Sequence, residues 1–190
     1  MSKQYITDQN FKNIIFSDSE VEISDYENCT FIDCSFSNAN LSDFSFEDCR
    51  FENCDFSNTK IRNTAFKNVH FNSCKLIGLQ FDECNPFLLG FTFTTCLLNY
   101  SSFFKLKLKK TVFTKCSLHE VDFSQADLSE ANFTECDFAG ATFSQTNLRK
   151  ADLRTSFNFN IYPEQNQISG AKFSMETLPG LLHKYKIKIG

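Results

Sequence analysis

The chain has no Trp, only 3 Pro and 6 Gly among 190 residues, and no apolar run long enough to span a membrane. The residues Met1-Ser-Lys-Gln-Tyr carry neither the apolar stretch of a secretory signal nor a transit-peptide composition. These absences point to a cytoplasmic protein without a membrane segment. Nucleophile-elbow, zinc-protease and phosphate-loop motifs are missing as well. His70, His119 and His183 are scattered, and no Cys-x-x-Cys pair converges with a His, so neither a metal site nor a catalytic centre is expected. Paired carboxylates such as Glu47 and Asp48 fall on a convex surface with no pocket to raise a pKa. The expectation is a protein that is not an enzyme and carries no cofactor.

What the chain has instead is Phe, 24 of them, and a period of five. Large apolar residues recur at Ile6, Phe11, Phe16, Val21, Tyr26, Phe31, Phe36, Leu41, Phe46, Phe51, Phe56, Ile61, Phe66, Phe71, Leu76 and Phe81. Five fits neither the 3.6 of a helix nor the 2.0 of a strand, so an internal repeat has to be read first. The residue two places before each large one is usually small or moderately apolar, as at Cys29, Ala39, Cys54 and Thr64. The unit is small–polar–large–polar–polar. Small and large point the same way across a short extended step, and four steps with turns close a square coil of about twenty residues that stacks at ~4.8 Å.

All nine Cys occupy the small position, many of them twenty apart, as in Cys34/Cys54/Cys74 and Cys96/Cys116/Cys136. Stacked Cβ vectors are poorly aimed for bridging, so these thiols read as reduced, buried small hydrophobes. Eighteen Phe occupy the large position, which makes the Phe content structural. The unit's last residue in this half is mostly Asn or Asp, from Asp8 through Asp18 to Asn68. These types accept positive φ, so type II-like corners are expected.

The register then slips by two, to Leu88, Phe93, Leu98, Phe103 and onward to Leu153. Asn85-Pro86-Phe87 is the favoured place and Phe91–Phe93 the alternative. In this second register the last position holds Lys105, Lys110, Lys115, Glu120, Gln125 and Glu130, which suggests tighter, less Gly-like turns. After Phe173 the period changes. Leu178, Leu181, Leu182 and Tyr185 mark one face of a short helix, with Thr177 as cap, and Ile187-Lys-Ile189 alternates like a strand. This tail reads as a lid over the last coil, a dimer interface, or both. The division is therefore 1–173 for the repeat, with the slip near 85–93, and 174–190 for the tail.

Ala126-Asp-Leu, Ala131-Asn-Phe and Ala151-Asp-Leu resemble the signature of the pentapeptide-repeat family over about residues 4 to 173. The resemblance implies an all-β fold, a right-handed quadrilateral parallel β-helix of about eight coils, with a short C-terminal helix. The ending Gly180-Leu-Leu-His-Lys-Tyr-Lys-Ile-Lys-Ile-Gly190 resembles the tails of Qnr-type members. That similarity implies a homodimer joined through Leu178, Leu181, Leu182, Tyr185, Ile187 and Ile189. It also implies DNA mimicry toward gyrase and topoisomerase IV, with an effect on fluoroquinolone sensitivity.

Charge adds to this picture. Residues 1–85 carry 14 acidic and 7 basic side chains, whereas residues 86–190 carry 9 and 12. Glu27, Asp43, Glu47, Asp48 and Glu52 are the candidate partner-binding carboxylates, and Lys105, Lys107, Lys109, Lys110 and Lys115 form a basic cluster. About eight coils give ~38 Å per chain, or ~75 Å for a tail-to-tail dimer. DNA of that length carries ~45 phosphate charges. The dimer that the resemblance implies would carry a formal charge of −8 (twice the −4 of one chain), so the implied mimicry of DNA would rest on local acidic stripes and not on a uniform field. Direct nucleic-acid binding is disfavoured by the acidic balance and the interior aromatics. The alternative is a general repeat scaffold for another protein, without a topoisomerase role.

Overall fold

The computed structural model describes residues 3–16 and 23–188; Asp18, Val21 and Ile189 lie outside the described residues. The short extended steps pair only with their counterparts one coil away. On the first face β1 (Gln4–Thr7), β3 (Ser24–Glu27), β5 (Ser45–Glu47) and β7 (Ala65–Lys67) form a parallel four-stranded sheet. On the second, β2 (Asn10–Lys12), β4 (Thr30–Ile32), β6 (Arg50–Glu52), β8 (Val69–Asn72), β9 (Phe91–Thr94), β10 (Val112–Thr114) and β11 (Asn132–Thr134) form a seven-stranded one. Single bridges carry this second ladder on through Asp152 to Lys172. Third and fourth faces are held by bridges such as Ser35↔Asp55 and Asn40↔Lys60. The molecule is a four-sided parallel β-solenoid of the pentapeptide-repeat kind.

The interior follows from the five-residue unit. Phe31, Phe51, Phe71, Phe93, Phe113 and Phe133 are buried, and each ring stacks on the next, as in Phe51–Phe71 at 5.1 Å and 13°. Neighbouring columns meet edge to face, as in Phe51–Phe56 at 81°. Both geometries suit the ring quadrupole. All nine Cys are buried and unbridged. Cys34, Cys54 and Cys74 continue directly into Cys96, Cys116 and Cys136, because the third-face ladder runs from Lys75 to Leu97 across the slip. Burial pushes the Cys49 thiol up to about 12, so it stays protonated.

The small position also has a polar duty. Thr59 and Thr64 donate hydroxyls to the carbonyls of Phe36 and Leu41, both at 2.7 Å, and Thr146 and Ser156 do the same toward Phe123 and Phe133. Cys thiols make the longer version, Cys54 Sγ to the Phe31 carbonyl at 3.4 Å. Each donor reaches the large residue of the preceding coil, so a carbonyl facing the interior keeps a partner.

The corners differ from the reading of the second register. Asn53 and Asn63 have φ of +54° and Asp43 +67°, yet Lys105, Lys110, Glu120, Gln125 and Glu130 lie at +55° to +63°. The left-handed corner therefore persists where Asn and Asp are replaced. Coil-to-coil backbone bonds on both sides, such as Gln125 N–H to the Ser144 carbonyl at 2.8 Å, hold it there.

The slip is a loop. Asn85 pairs with Ala65 twenty residues earlier, whereas Phe91 pairs with Val69, twenty-two earlier, so the two extra residues fall between Asn85 and Phe91. Leu88 is not the first interior residue of the second register. It is 66% exposed at a φ of +56°, and Phe91 fills the interior beside Phe66 instead.

At the far end the tail is shorter in helix than expected. Among the described residues of the tail only α1 (Pro179–Leu182) is α-helical, with 3-10 turns at Met175–Thr177 and His183–Tyr185. Thr177 does not cap α1; its hydroxyl closes a box with Ser174 around the first 3-10 turn. Ile187 is exposed and lies in no strand. Gly180 sits so close to the last coil that a Cβ there would lie 2.4 Å from the Phe159 carbonyl oxygen, while its own carbonyl accepts the Ile161 N–H at 3.0 Å. Leu181 packs on the core. The tail therefore closes the end of the tube, which would otherwise expose apolar side chains and unpaired strand groups.

Candidate partner-binding face

Among the five candidate carboxylates, Glu27 and Glu47 stack directly on the first face, in the column Thr7–Glu27–Glu47–Lys67. Asp48 stands at the corner beside Glu47, and Asp43 at the opposite edge of the same face. Glu52 is not with them; β6 places it on the second face. The residues gathered here are far from unpartnered. Asn63 and Asn68 donate side-chain amides to Asp43 and Asp48, at 2.7 and 2.6 Å. Lys67 reaches Glu47 at 2.8 Å, and the Tyr5 hydroxyl donates to Glu27.

The Asn–Asp bonds belong to corner ladders. Asp8, Asn28, Asp48 and Asn68 follow one another at intervals of one coil, as do Asp33 and Asn53. Alternation lets each carboxylate accept from the amide above it instead of facing another charge. Period-five counting does not expose this, but reading every twentieth residue does.

Four of the five lysines of the basic cluster also lie on the first face. Its ladder resumes above the loop as Lys107–Asp127–Asn147–Gln167, with Lys105 and Lys110 at the two corners and Lys109 between. Lys115 sits one corner further on and faces Glu135 at 3.9 Å. Between the two charged regions the loop holds Phe87 and Leu88 out, next to an open groove of about 740 Å³. Ile23, Phe44, Ala65 and Phe87 give the groove apolar surface, and Asp25, Asp43, Lys3 and Lys67 give it charge of both signs. Sequence reading located the loop but not the exposure of Phe87 and Leu88; the surplus of two residues was its signal.

A separate polar cluster occupies the third face. His119 and Asp137 pair at 2.8 Å, and Asn158 donates to the same carboxylate at 2.8 Å. Burial works against the Asp137 carboxylate, but these two partners hold its pKa below the usual range. His70 lies on the second face, in register with Arg50. Among the described residues no helix is long and apolar enough to cross a membrane. In the tail, Leu178, Leu181 and Leu182 are half-buried, while Tyr185 and Ile187 are 58% and 55% exposed.

Two family profiles match the chain, one described as pentapeptide repeats, in eight copies, over residues 116–154 and one as a pentapeptide repeat region over 24–86. Together they cover more than half of it, and the chain belongs to the pentapeptide-repeat family. Comparison with curated protein sequences gives no match. Among solved structures, a trypsin-treated variant of QnrB1, a plasmid-mediated fluoroquinolone resistance protein, is similar at 21% identity and a TM-score of 0.65, with all of both chains covered. HetL, a pentapeptide repeat protein involved in heterocyst differentiation regulation from the cyanobacterium Nostoc sp. strain PCC 7120, is similar at 16% identity and a TM-score of 0.56. That match covers 90% of this chain and 88% of HetL. At these identities the likeness is one of fold.

Proposed function

We propose that this chain is a non-enzymatic, cytoplasmic interaction rod that engages the DNA-binding surface of a type II topoisomerase, gyrase or topoisomerase IV, and so modulates fluoroquinolone sensitivity. The observation that carries the reading is the row of Asp43, Glu47 and Asp48, with Glu27 one coil below, on one flat side of a rod. It stands beside full-length similarity of fold to a fluoroquinolone resistance protein. Glu52 would contribute from the neighbouring face. A stripe of carboxylates on a rod offers a cationic groove the spacing of a polyanion without a nucleic acid. The active species in this reading is a homodimer joined at the tail through Leu178, Leu181, Leu182, Tyr185 and Ile187, with Ile189 beyond the described residues. A gyrase supercoiling assay with and without a fluoroquinolone tests it. Inhibition of supercoiling or relief of drug inhibition is expected, and no effect at micromolar protein removes the reading.

A second reading, a scaffold for a different protein with no topoisomerase role, has its own support. Asp43, Asp48 and Glu47 already bond to Asn63, Asn68 and Lys67, which lowers the field they project. Capture from the native cell, with and without topoisomerase subunits in the eluate, separates the two.

A further inference from the structure

Along the first face the charges sort by height. Asp43, Glu47 and Asp48 make one row; three coils further, ~14 Å along the axis, Lys105, Lys107, Lys109 and Lys110 make another. Among the described residues the lysine row is poorly neutralised. Glu130 is the single carboxylate within 4 Å of it, at 3.0 Å from Lys109 and 3.8 Å from Lys110. Between the rows stand Phe87 and Leu88, 67% and 66% exposed, and Phe87 lines the groove together with Ala65. An apolar knob next to an apolar-lined groove, with opposite charges on either side, is its own complement after a half turn. A two-fold axis lying in the plane of the face, running across the rod level with the gap between the rungs of Ala65 and Asn85, sets the carboxylate row of one copy opposite the lysine row of the other.

We propose that the first face pairs with the first face of a second copy of this chain about such an axis. Phe87 and Leu88 of each copy seat against the groove of the other, and each lysine row meets the other's Asp43, Glu47 and Asp48. This is an isologous contact, in which every residue pair occurs twice. An anionic membrane or a nucleic acid fits the same surface less well, because the carboxylates beside the loop repel it. One side of a slender rod offers less than the ~800 Å² per partner of a standard interface. The next rows outward also bring Asp25 and Glu27 toward Asp127 and Glu130, eased by Lys3 on Asp25 and Lys109 on Glu130. The association is therefore weak, reversible and sensitive to salt. It requires neither the topoisomerase reading nor the tail contact, but it covers the same Asp43, Glu47 and Asp48 and so would compete with a topoisomerase for them.

Sedimentation equilibrium of the full chain in a Tyr185→Asp/Ile187→Asp background, which charges exposed tail positions and leaves Leu181 on the core, isolates this contact from any made by the tail. Self-association is expected to persist there, to weaken as salt is raised, and to fall at least tenfold when Phe87→Asp/Leu88→Asp is added. A monomer at every concentration in that background, or association indifferent to the loop substitutions, overturns the proposal. In the unmodified chain, zero-length carbodiimide coupling of an isotope-mixed sample provides an arm that needs no substitution. Lys107 or Lys109 of one copy should join Asp43 or Glu47 of the other, and the absence of every mixed-isotope link between these rows overturns it equally.

Discussion

Phe51 lies in the middle of the second-face column, wholly buried between Phe31 and Phe71. Phe51→Ala removes a ring that two neighbours stack on and that the tube cannot collapse to replace. A loss of about 3–5 kcal/mol in chemical denaturation is expected; a loss below about 1 kcal/mol would contradict the interior placement. The corner at Gln125 argues in the opposite direction. Its φ of +59° is a conformation in which a residue with a Cβ costs roughly 1–2 kcal/mol, a cost glycine escapes at some expense in unfolded-state entropy. Gln125→Gly should therefore raise stability by about 0.5–1 kcal/mol, measured the same way. Inward-facing residues were legible in the sequence because one spatial position returns every five residues. The corner conformation after Leu88 was not, because Lys, Glu and Gln seldom adopt it and do so here under tension from coils above and below.

The loop between Asn85 and Phe91 is an element that can be removed. Deleting Pro86 and Phe87 would bring Leu88 to the interior position and Gly90 to a corner where positive φ suits it, turning a twenty-two-residue coil into one of twenty. The shortened chain is expected to keep its circular dichroism and to melt close to the parent, while losing the association through the first face. At the other end, Gly180→Ala drives a methyl group toward the Phe159 carbonyl and ring. Displacement of the tail should follow, read as faster hydrogen exchange at the Ile161 amide, whose acceptor is the Gly180 carbonyl. The tail's helix looked longer in sequence because Leu178, Leu181, Leu182 and Tyr185 share the right spacing. The left-handed Lys186 and the 3-10 turns on both sides confine it to a single turn. Of the candidate site, the acidic row was legible from composition, but its bonds to Asn63, Asn68 and Lys67 were not. A five-residue period tells which residues face out, not which of them meet twenty residues later.

At the scale of the whole molecule, pH reports on the outer ladders. Asp137 is held below the ordinary carboxylate range against the effect of burial by His119 and Asn158. Asp152 is held down first by Arg154 and also by Lys172. A carboxylate whose folded pKa is depressed contributes stability above its unfolded value of about 3.9 and loses it as pH falls through the folded one. Melting temperature should therefore hold near neutrality and decline below about pH 4, and Asp137→Asn should make that decline shallower. A profile unchanged by the substitution would show that the pair at the surface does not matter to folding.

Each coil touches only the coils on either side of it, and corners, columns and ladders all repeat with the same step. A tandem copy of residues 41–60 could be spliced in beside the original with every new ring finding the neighbour it already has. Gain or loss of a single residue would instead turn downstream rings outward unless a local bulge absorbed it, as the loop after Asn85 absorbs two. Lineages of such rods are thus expected to differ in length by whole storeys, with the rarer partial steps confined to places where the wall opens.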